Sequence, residues 1–428
     1  LSMKHSRYNY ITPEKDGFFL LFNTAKETLV ELDAEMLNYY ESNTLDSETQ
    51  AAMTELGFLV DDSFDELESL EATWRKNFEE SSTLDLTVMV TDACNFRCPY
   101  CYQSHCTHSM GEKQTVSLYK YLSCAIDSGI KTINIHWFGG EPLLNTAPIF
   151  YIEHFLKENH IKGSSNVTTN GYLLTDNLLH RFMEETRIRA FQITLDGTES
   201  MHNQTRRHVS GLPTYGRICE NIVSATQQGF FVIIRLNMTK ENQNLDPFLS
   251  EIHALGISRS KYSIHITNAH EFTNSEKRSD FYFNTAEEYS IAYDKAQDSF
   301  LKAHYKFPRN VARKAGCGFE SYNTFLVGTD LKLYFCSSCE CIETFEQGYI
   351  DDEGQIHLNN QYWNRINMSV FNDPECRNCI VLPLCMGGCT YCRLNQKKFC
   401  IPEKYFLDKY IKKLYMEATT KSGRGDFK

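Results

Sequence analysis

From residue 83 to about 268, short runs dense in Val, Ile, Phe and Thr alternate with longer segments whose apolar residues recur every three or four positions. The runs at 84–90 (LDLTVMV), 131–137 (KTINIHW), 165–169 (SNVTT), 190–196 (AFQITLD), 230–236 (FFVIIRL) and 261–267 (KYSIHIT) predict buried strands. The segments near 116–128, 146–160, 175–186, 215–228 and 244–255 predict helices between them. Strand and helix in alternation dictate a parallel sheet, because parallel neighbours need a crossover connection. Functional side chains in such a fold belong at the C-terminal ends of the strands.

Upstream the pattern changes. Gly17 to Asn23 (GFFLLFN) and Thr28 to Leu32 (TLVEL), joined by a four-residue link, predict a hairpin. Asp33 can cap a helix over 34–40, and Asp46 or Ser47 another over 48–56, before a third strand or wing at 58–60. A linker helix is expected over 64–81 and a long helix over 277–306.

Charge and cysteine content narrow the class. Residues 1–82 carry 18 Asp and Glu against 6 Lys and Arg, whereas the remainder balances 37 against 37. The formal charge of −12 therefore sits at the N-terminus, as a solvated acidic surface or a partner-binding face. This balance argues against a nucleic-acid partner. No apolar run approaches the roughly 18 residues of a membrane helix, and no signal segment opens the chain. The expectation is a cytoplasmic protein that engages no membrane, with most of its 16 cysteines as metal ligands and not disulfides; Cys106, Cys124 and Cys219 fit no ligand spacing.

Chemistry collects behind the predicted strands. Thr91 to Cys101 (TDACNFRCPYC) follows the first and places Cys94, Cys98 and Cys101 at C-x3-C-x2-C spacing. Three thiolates on one short loop suit three corners of a [4Fe–4S] cube and leave one iron open to a small molecule. A zinc knuckle is the alternative for the same loop. After the second strand comes Gly139-Gly140-Glu141-Pro142, where glycines let backbone approach a ligand and the carboxylate can accept from an ammonium group. Asn170, Thr194, Asp196 and Asn237 end later strands, and Arg206, with Arg207 beside it, follows the fourth.

This set resembles the radical S-adenosylmethionine (SAM) enzymes: the cysteine loop with Tyr100 before its last Cys, then GGEP, TNG at 169–171 and an HN-x-x-R stretch at 202–206. The resemblance implies a partial (β/α)6 barrel whose open iron chelates SAM. Gly139, Gly140 and Glu141 would bind the SAM amino group. Asn170, Thr194, Asp196 and Asn237 would lie near SAM, Tyr100 near its adenine, and Arg206 would pair with its carboxylate. Asn203 departs from the family, which has Asp there.

The remaining cysteines crowd downstream in an order similar to the SPASM extension of peptide-maturing members, which carries two auxiliary [4Fe–4S] clusters. Carried across, Cys317, Cys336 and Cys389 would hold the first, with Cys339 or Cys341 as a fourth ligand. Cys376, Cys379, Cys385 and Cys400 would hold the second. A zinc ribbon is the alternative for this set. The N-terminal pattern is similar to the winged-helix-like modules that hold leader peptides in these maturases, or else it merely covers the barrel. The expected organisation is thus a recognition module and linker (1–82), barrel (83–276), bridging helix (277–310), SPASM domain (311–402) and C-terminal helix (403–428).

The resemblance implies a maturase that cross-links a ribosomally made precursor peptide, through a thioether or a C–C or C–O link to an aromatic ring. It would use three [4Fe–4S] clusters, SAM, and an electron donor such as flavodoxin or ferredoxin. The alternatives are an anaerobic sulfatase-maturing (formylglycine-forming) enzyme and a non-enzymatic iron–sulfur carrier or sensor. The sulfatase-maturing enzymes carry Asp directly after the second SPASM cysteine, where this chain has Ser337.

Overall fold

The computed structural model describes residues 2–14, 16–79, 82–103, 107–269, 281–310, 317–337, 345–394 and 398–421 of the 428. The chain divides into two compact units, one of residues 1–79, 285–318 and 369–428, the other of 80–284 and 319–368.

The first unit begins with β1 (Met3–His5), β2 (Asn9–Ile11), β3 (Phe18–Asn23) and β4 (Thr28–Asp33), then α1 (Ala34–Glu41), α2 (Ser47–Glu55), β5 (Leu59–Asp61) and α3 (Glu66–Glu79). The hairpin is antiparallel β3–β4, with β2 on its other side, while β1 pairs with β5. Both helices start where a carboxylate caps them: Asp33 accepts from Met36 N, and Asp46 from Glu48 N and Thr49 N. Leu21, Leu32, Tyr40, Met53, Phe58 and Leu59 form the core of this module. Its outer side packs within the same unit on C-terminal residues. Phe22 meets Tyr410 edge-on, Trp74 meets Phe371, and Thr24 Oγ1 donates to the Ile380 carbonyl at 2.5 Å. Of the long helix expected over 277–306, residues Ala286–Lys302 are helical, started by the Thr285 hydroxyl, and 277–280 lie outside the described residues.

The second unit is a ten-stranded sheet. Its parallel part is β6 (Thr83–Met89), β7 (Thr132–Phe138), β8 (Ser165–Thr169), β9 (Ile188–Thr194), β10 (Phe231–Met238) and β11 (Tyr262–Asn268), paired in chain order. Five crossovers carry α4 (Glu112–Asp127), α5 (Ala147–Glu158), α6 (Asp176–Glu185), α7 (Glu199–Thr205) with α8 (Tyr215–Gln227), and α9 (Asp246–Ala254). This is the expected partial (β/α)6 barrel.

Alternation along each strand sorts the side chains. On β7, Ile133, Ile135 and Trp137 are fully buried, while Asn134, His136 and Phe138 are half-buried on the other face. That other face is polar from strand to strand: Asn134 Nδ2 donates to Asp85 at 2.8 Å, and His136 and Gln192 both bond Thr168 Oγ1, at 2.6 and 3.0 Å. A half-polar face inside a parallel sheet marks a lumen kept for something other than core.

The sheet does not stop at the barrel. Thr324–Val327 (β12) pairs parallel with β6, followed by antiparallel β13 (Lys332–Tyr334), β14 (Glu346–Ile350) and β15 (Ile356–Leu358). Residues 319–368, expected within a separate C-terminal domain, thus fold with the barrel. The first barrel strand would otherwise present an open edge, and β12 satisfies it. Among the described residues, no helix is long and apolar enough to cross a membrane.

Candidate active site

The cysteine loop leaves β6 and is held by backbone against the turn after β7. Gly140 N donates to the Thr91 carbonyl and Glu141 N to the Ala93 carbonyl, both at 2.8 Å. This contact is why two glycines stand there. A Cβ at 139 would lie 2.3 Å from Thr91 O, and one at 140 would lie 2.4 Å from Ala93 O; Gly139 also has φ +144°. Close approach was expected toward a ligand; here the glycines admit the ligand-bearing loop itself.

Glu141 lies behind this contact, with none of its surface exposed and no share in the pocket lining. Its carboxylate accepts from Thr169 Oγ1 (2.6 Å), Asn170 N (2.7 Å) and Leu143 N (3.0 Å), so it ties the end of β8 to the GGEP turn. Burial pushes its pKa up, against those three donors. Asn170 completes the tie, with its Nδ2 donating to Asn95 Oδ1 of the cysteine loop at 2.7 Å.

A second constellation joins residues up to 137 positions apart. The Tyr100 hydroxyl donates to the Asp196 carboxylate and accepts from Arg206 Nη1 at 2.7 Å. Asp196 also accepts from Asn237 N at 3.0 Å and has Arg206 within 3.7 Å. Burial holds the Tyr100 phenol well above its usual pKa, so it remains a donor. The Tyr100 ring stacks at 6.2 Å on Phe281. Arg207 turns outward, and of the two neighbours it is Arg206 that lines the pocket. Asn203 accepts from the N–H groups of Thr214 and Tyr215 at the start of α8, a task that amide and carboxylate oxygens perform alike.

Both constellations border one pocket of about 910 Å³ at the C-terminal ends of the strands. Cys94, Cys98 and Cys101 line it, and so do Gly139, Gly140, Asn170, Thr194, Asn237, Arg206 and Tyr100. Asp196, like Glu141, stands behind the lining. Sequence reasoning missed Arg235 and Thr168, which also line it. Arg235 precedes Asn237 by two and so shares its face of β10, a period-two signal that was available. Its Nε donates to Asn237 Oδ1 and Thr267 Oγ1.

The residues fit an iron–sulfur cluster with SAM. Three thiols converge on one cavity, and Arg206, which also lines it, has its Nε buried without a partner. Burial pushes the thiols of Cys94 and Cys101 up to about 11 and about 12, so as free groups they stay protonated and need a cationic ligand to ionise. Among the described residues, no three His, Cys, Asp or Glu side chains are gathered tightly enough for one metal ion. A cube, whose ligands sit at separate corners, spreads its thiolates wider than a single tetrahedral ion does.

A second pocket, in the first unit, is lined by Cys376, Cys379, Cys385 and Cys400 together. Lys404 Nζ lies 3.4 Å from the Cys400 sulfur. Cys317 and Cys389 belong to the first unit and Cys336 to the second; Cys339 and Cys341 lie outside the described residues.

Comparison with known proteins agrees. The Radical SAM superfamily model matches residues 88–250. The Cysteine-type anaerobic sulfatase-maturating enzyme of Clostridium novyi is 23% identical over 365 residues, 76% of this chain and 95% of that one. The Radical SAM cyclopropyl synthase TigE of Paramaledivibacter caminithermalis is 24% identical over 246 residues, 46% of this chain and 52% of that one. Among solved structures, anSMEcpe with bound AdoMet and Kp18Cys peptide superposes with TM-score 0.60 at 18% identity, covering 80% of this chain and 100% of the other. Streptococcus suis SuiB bound to precursor peptide SuiA gives 0.56 at 17%, covering 94% and 98%. With its cysteine loop, GGEP turn and strand-end polar set around one pocket, this chain carries a radical SAM domain.

Proposed function

We propose that the enzyme matures a ribosomally made precursor peptide, installing a thioether or a C–C or C–O link to an aromatic side chain. The observation that carries this reading is the reach of the fold likeness. The match to peptide-bound SuiB takes in 94% of this chain, against 80% for anSMEcpe, and so extends over the N-terminal module. In that module β2 and β4 are the outer strands of the β2–β3–β4 sheet, where a leader can add as a further strand.

Cys94, Cys98 and Cys101 would hold the SAM cluster, and Arg206, fixed by Tyr100 and Asp196, would meet the SAM carboxylate. Gly139, Gly140, Asn170, Thr194 and Asn237 would shape the walls around SAM, and Glu141 would brace the turn that presents the two glycines. When bound, cluster and SAM supply a 5′-deoxyadenosyl radical that takes a hydrogen atom from the peptide. Cys376, Cys379, Cys385 and Cys400 would hold one auxiliary cluster, and Cys317, Cys336 and Cys389, with Cys339 or Cys341, the other. A cytoplasmic flavodoxin or ferredoxin would supply the electron.

Formylglycine formation is the second reading, favoured by a match that spans 95% of the Clostridium novyi enzyme. Mass spectrometry separates the two. The reduced enzyme would be given SAM and either a co-expressed candidate precursor or a cysteine-bearing sulfatase peptide. A cross-link removes a pair of hydrogens and keeps every sulfur, whereas formylglycine formation from Cys loses sulfur. Sulfur loss from the sulfatase peptide, with the precursor unchanged, would replace the first reading by the second.

A further inference from the structure

The outer side of the cysteine loop carries a surface that the chemistry inside the pocket does not use. Residues 95–97 pair antiparallel with 207–209: Arg97 N donates to the Arg207 carbonyl at 2.8 Å, and Val209 N to the Asn95 carbonyl at 2.9 Å. Phe96 and His208 are the bridged pair at the centre, their rings packed edge-on at 5.9 Å. Alternation turns Arg97 and Arg207 to the opposite face, where both are exposed. Two arginines directly opposite each other on a ribbon repel, and among the described residues neither forms an ion pair. With Pro99, Gln204 and Thr205 they border a polar recess of about 520 Å³ in which, among the described residues, Glu241 is the lining carboxylate.

Beside the arginines the same loop exposes two aliphatic side chains, Val209 at 57% and Leu212 at 58%. Apolar side chains next to unpaired cations are the composition of a protein-binding face with an electrostatic preference for an acidic partner. The face is wired to the cluster loop, because Arg97 Nη1 donates to the Cys94 and Phe96 carbonyls at 2.7 Å. Cys98 is the next residue along the chain.

We propose that this face, built on Arg97, Arg207, Val209 and Leu212, docks an acidic one-electron carrier protein of the flavodoxin type. One electron would pass from the reduced carrier to the cluster that Cys94, Cys98 and Cys101 would hold. The carrier is oxidised by one electron, and no bond forms between the proteins. The inference rests on the radical SAM assignment and not on which peptide is modified.

The test compares deoxyadenosine formation from SAM driven by reduced flavodoxin with the same reaction driven by dithionite, which needs no docking site. In the full-length, cluster-loaded Arg207→Glu/Leu212→Glu double variant, the flavodoxin-driven rate should fall about tenfold or more through a raised KM for flavodoxin. The dithionite-driven rate should stay at the wild-type value, and added salt should slow the wild-type flavodoxin reaction alone. The milder Leu212→Ser variant should show the same selective loss in smaller measure. A flavodoxin-driven rate equal to wild type, or a parallel loss of both rates in the two variants, overturns the proposal. So does an unchanged flavodoxin rate accompanied by weaker peptide binding, which would give the face to the substrate.

Discussion

The Tyr100 hydroxyl donates to the Asp196 carboxylate while accepting from Arg206 Nη1, so one phenol bridges a buried acid and a buried base. Arg206 is thereby presented to the pocket with its charge balanced and its fork fixed. Lysine has a single mobile donor head and cannot occupy that geometry. We expect Arg206→Lys to weaken SAM binding about tenfold or more, and Tyr100→Phe to weaken it less, at a cost of about 1.5–3 kcal/mol shared with folding. Anaerobic equilibrium dialysis with radiolabelled SAM, beside an iron assay showing the first cluster intact, measures both. Unchanged SAM affinity in Arg206→Lys would remove Arg206 from the SAM site.

The GGEP turn makes a different prediction, because its glycines serve the cysteine loop. A methyl group at 140 would meet the carbonyls of Ala93 and Asp92 at 2.4 and 2.5 Å, both backbone atoms that cannot swing away. Gly140→Ala should displace the loop and lower the iron retained by the first site. If the glycine served only SAM, the variant would keep its iron and lose SAM affinity alone. Iron counting and SAM binding on one preparation tell these apart.

The periodic part of the architecture was legible, since each barrel strand begins and ends within two residues of its apolar run. Lys131, Phe230 and Lys261 were read one residue early because side-chain pattern marks a strand's centre better than its first hydrogen bond. The β12–β15 extension was not legible. Thr324–Val327 is four residues long, and its partner lies some 240 positions earlier, a pairing that no local pattern records. The site divides in the same way. That Cys376, Cys379, Cys385 and Cys400 gather around one pocket was readable because most of their spacing is local, and that Arg206 lines the other because it sits in a short motif. Arg235 was missed because it falls inside a run read as a buried strand, FFVIIRL, where one polar residue passes for noise.

Glu403 gives a prediction in pH. Its Oε1 accepts from Asn310 N at 2.8 Å, its Oε2 is buried without a partner, and burial pushes its pKa up to about 7. A carboxyl whose folded pKa exceeds its unfolded value contributes stability below the unfolded pKa and loses it as pH rises through the folded one. Glu403→Gln, neutral throughout, should therefore match the wild type near pH 4, below the unfolded value. Above pH 8 it should exceed the wild type by up to about 3 kcal/mol. Thermal unfolding of the two proteins across that range checks it. A constant difference at every pH would show that Glu403 is not ionising within the fold.

The two cysteine pockets lie in separate compact units, so their metal contents should respond to substitution independently. Replacing Cys94, Cys98 and Cys101 by Ala should abolish deoxyadenosine formation and remove one cluster's share of the iron, out of about twelve per chain if the proposed three [4Fe–4S] clusters are bound. Replacing Cys376, Cys379, Cys385 and Cys400 should remove a similar share while reduced enzyme still cleaves SAM, because none of these thiols touches the barrel pocket. Peptide product should nevertheless disappear, if the auxiliary site accepts the electron left on the substrate. Loss of SAM cleavage in this second variant would mean that the C-terminal site supports the barrel. Zinc in place of iron there would turn it from an electron acceptor into a structural clasp, and the cross-linking chemistry would then need its oxidant elsewhere.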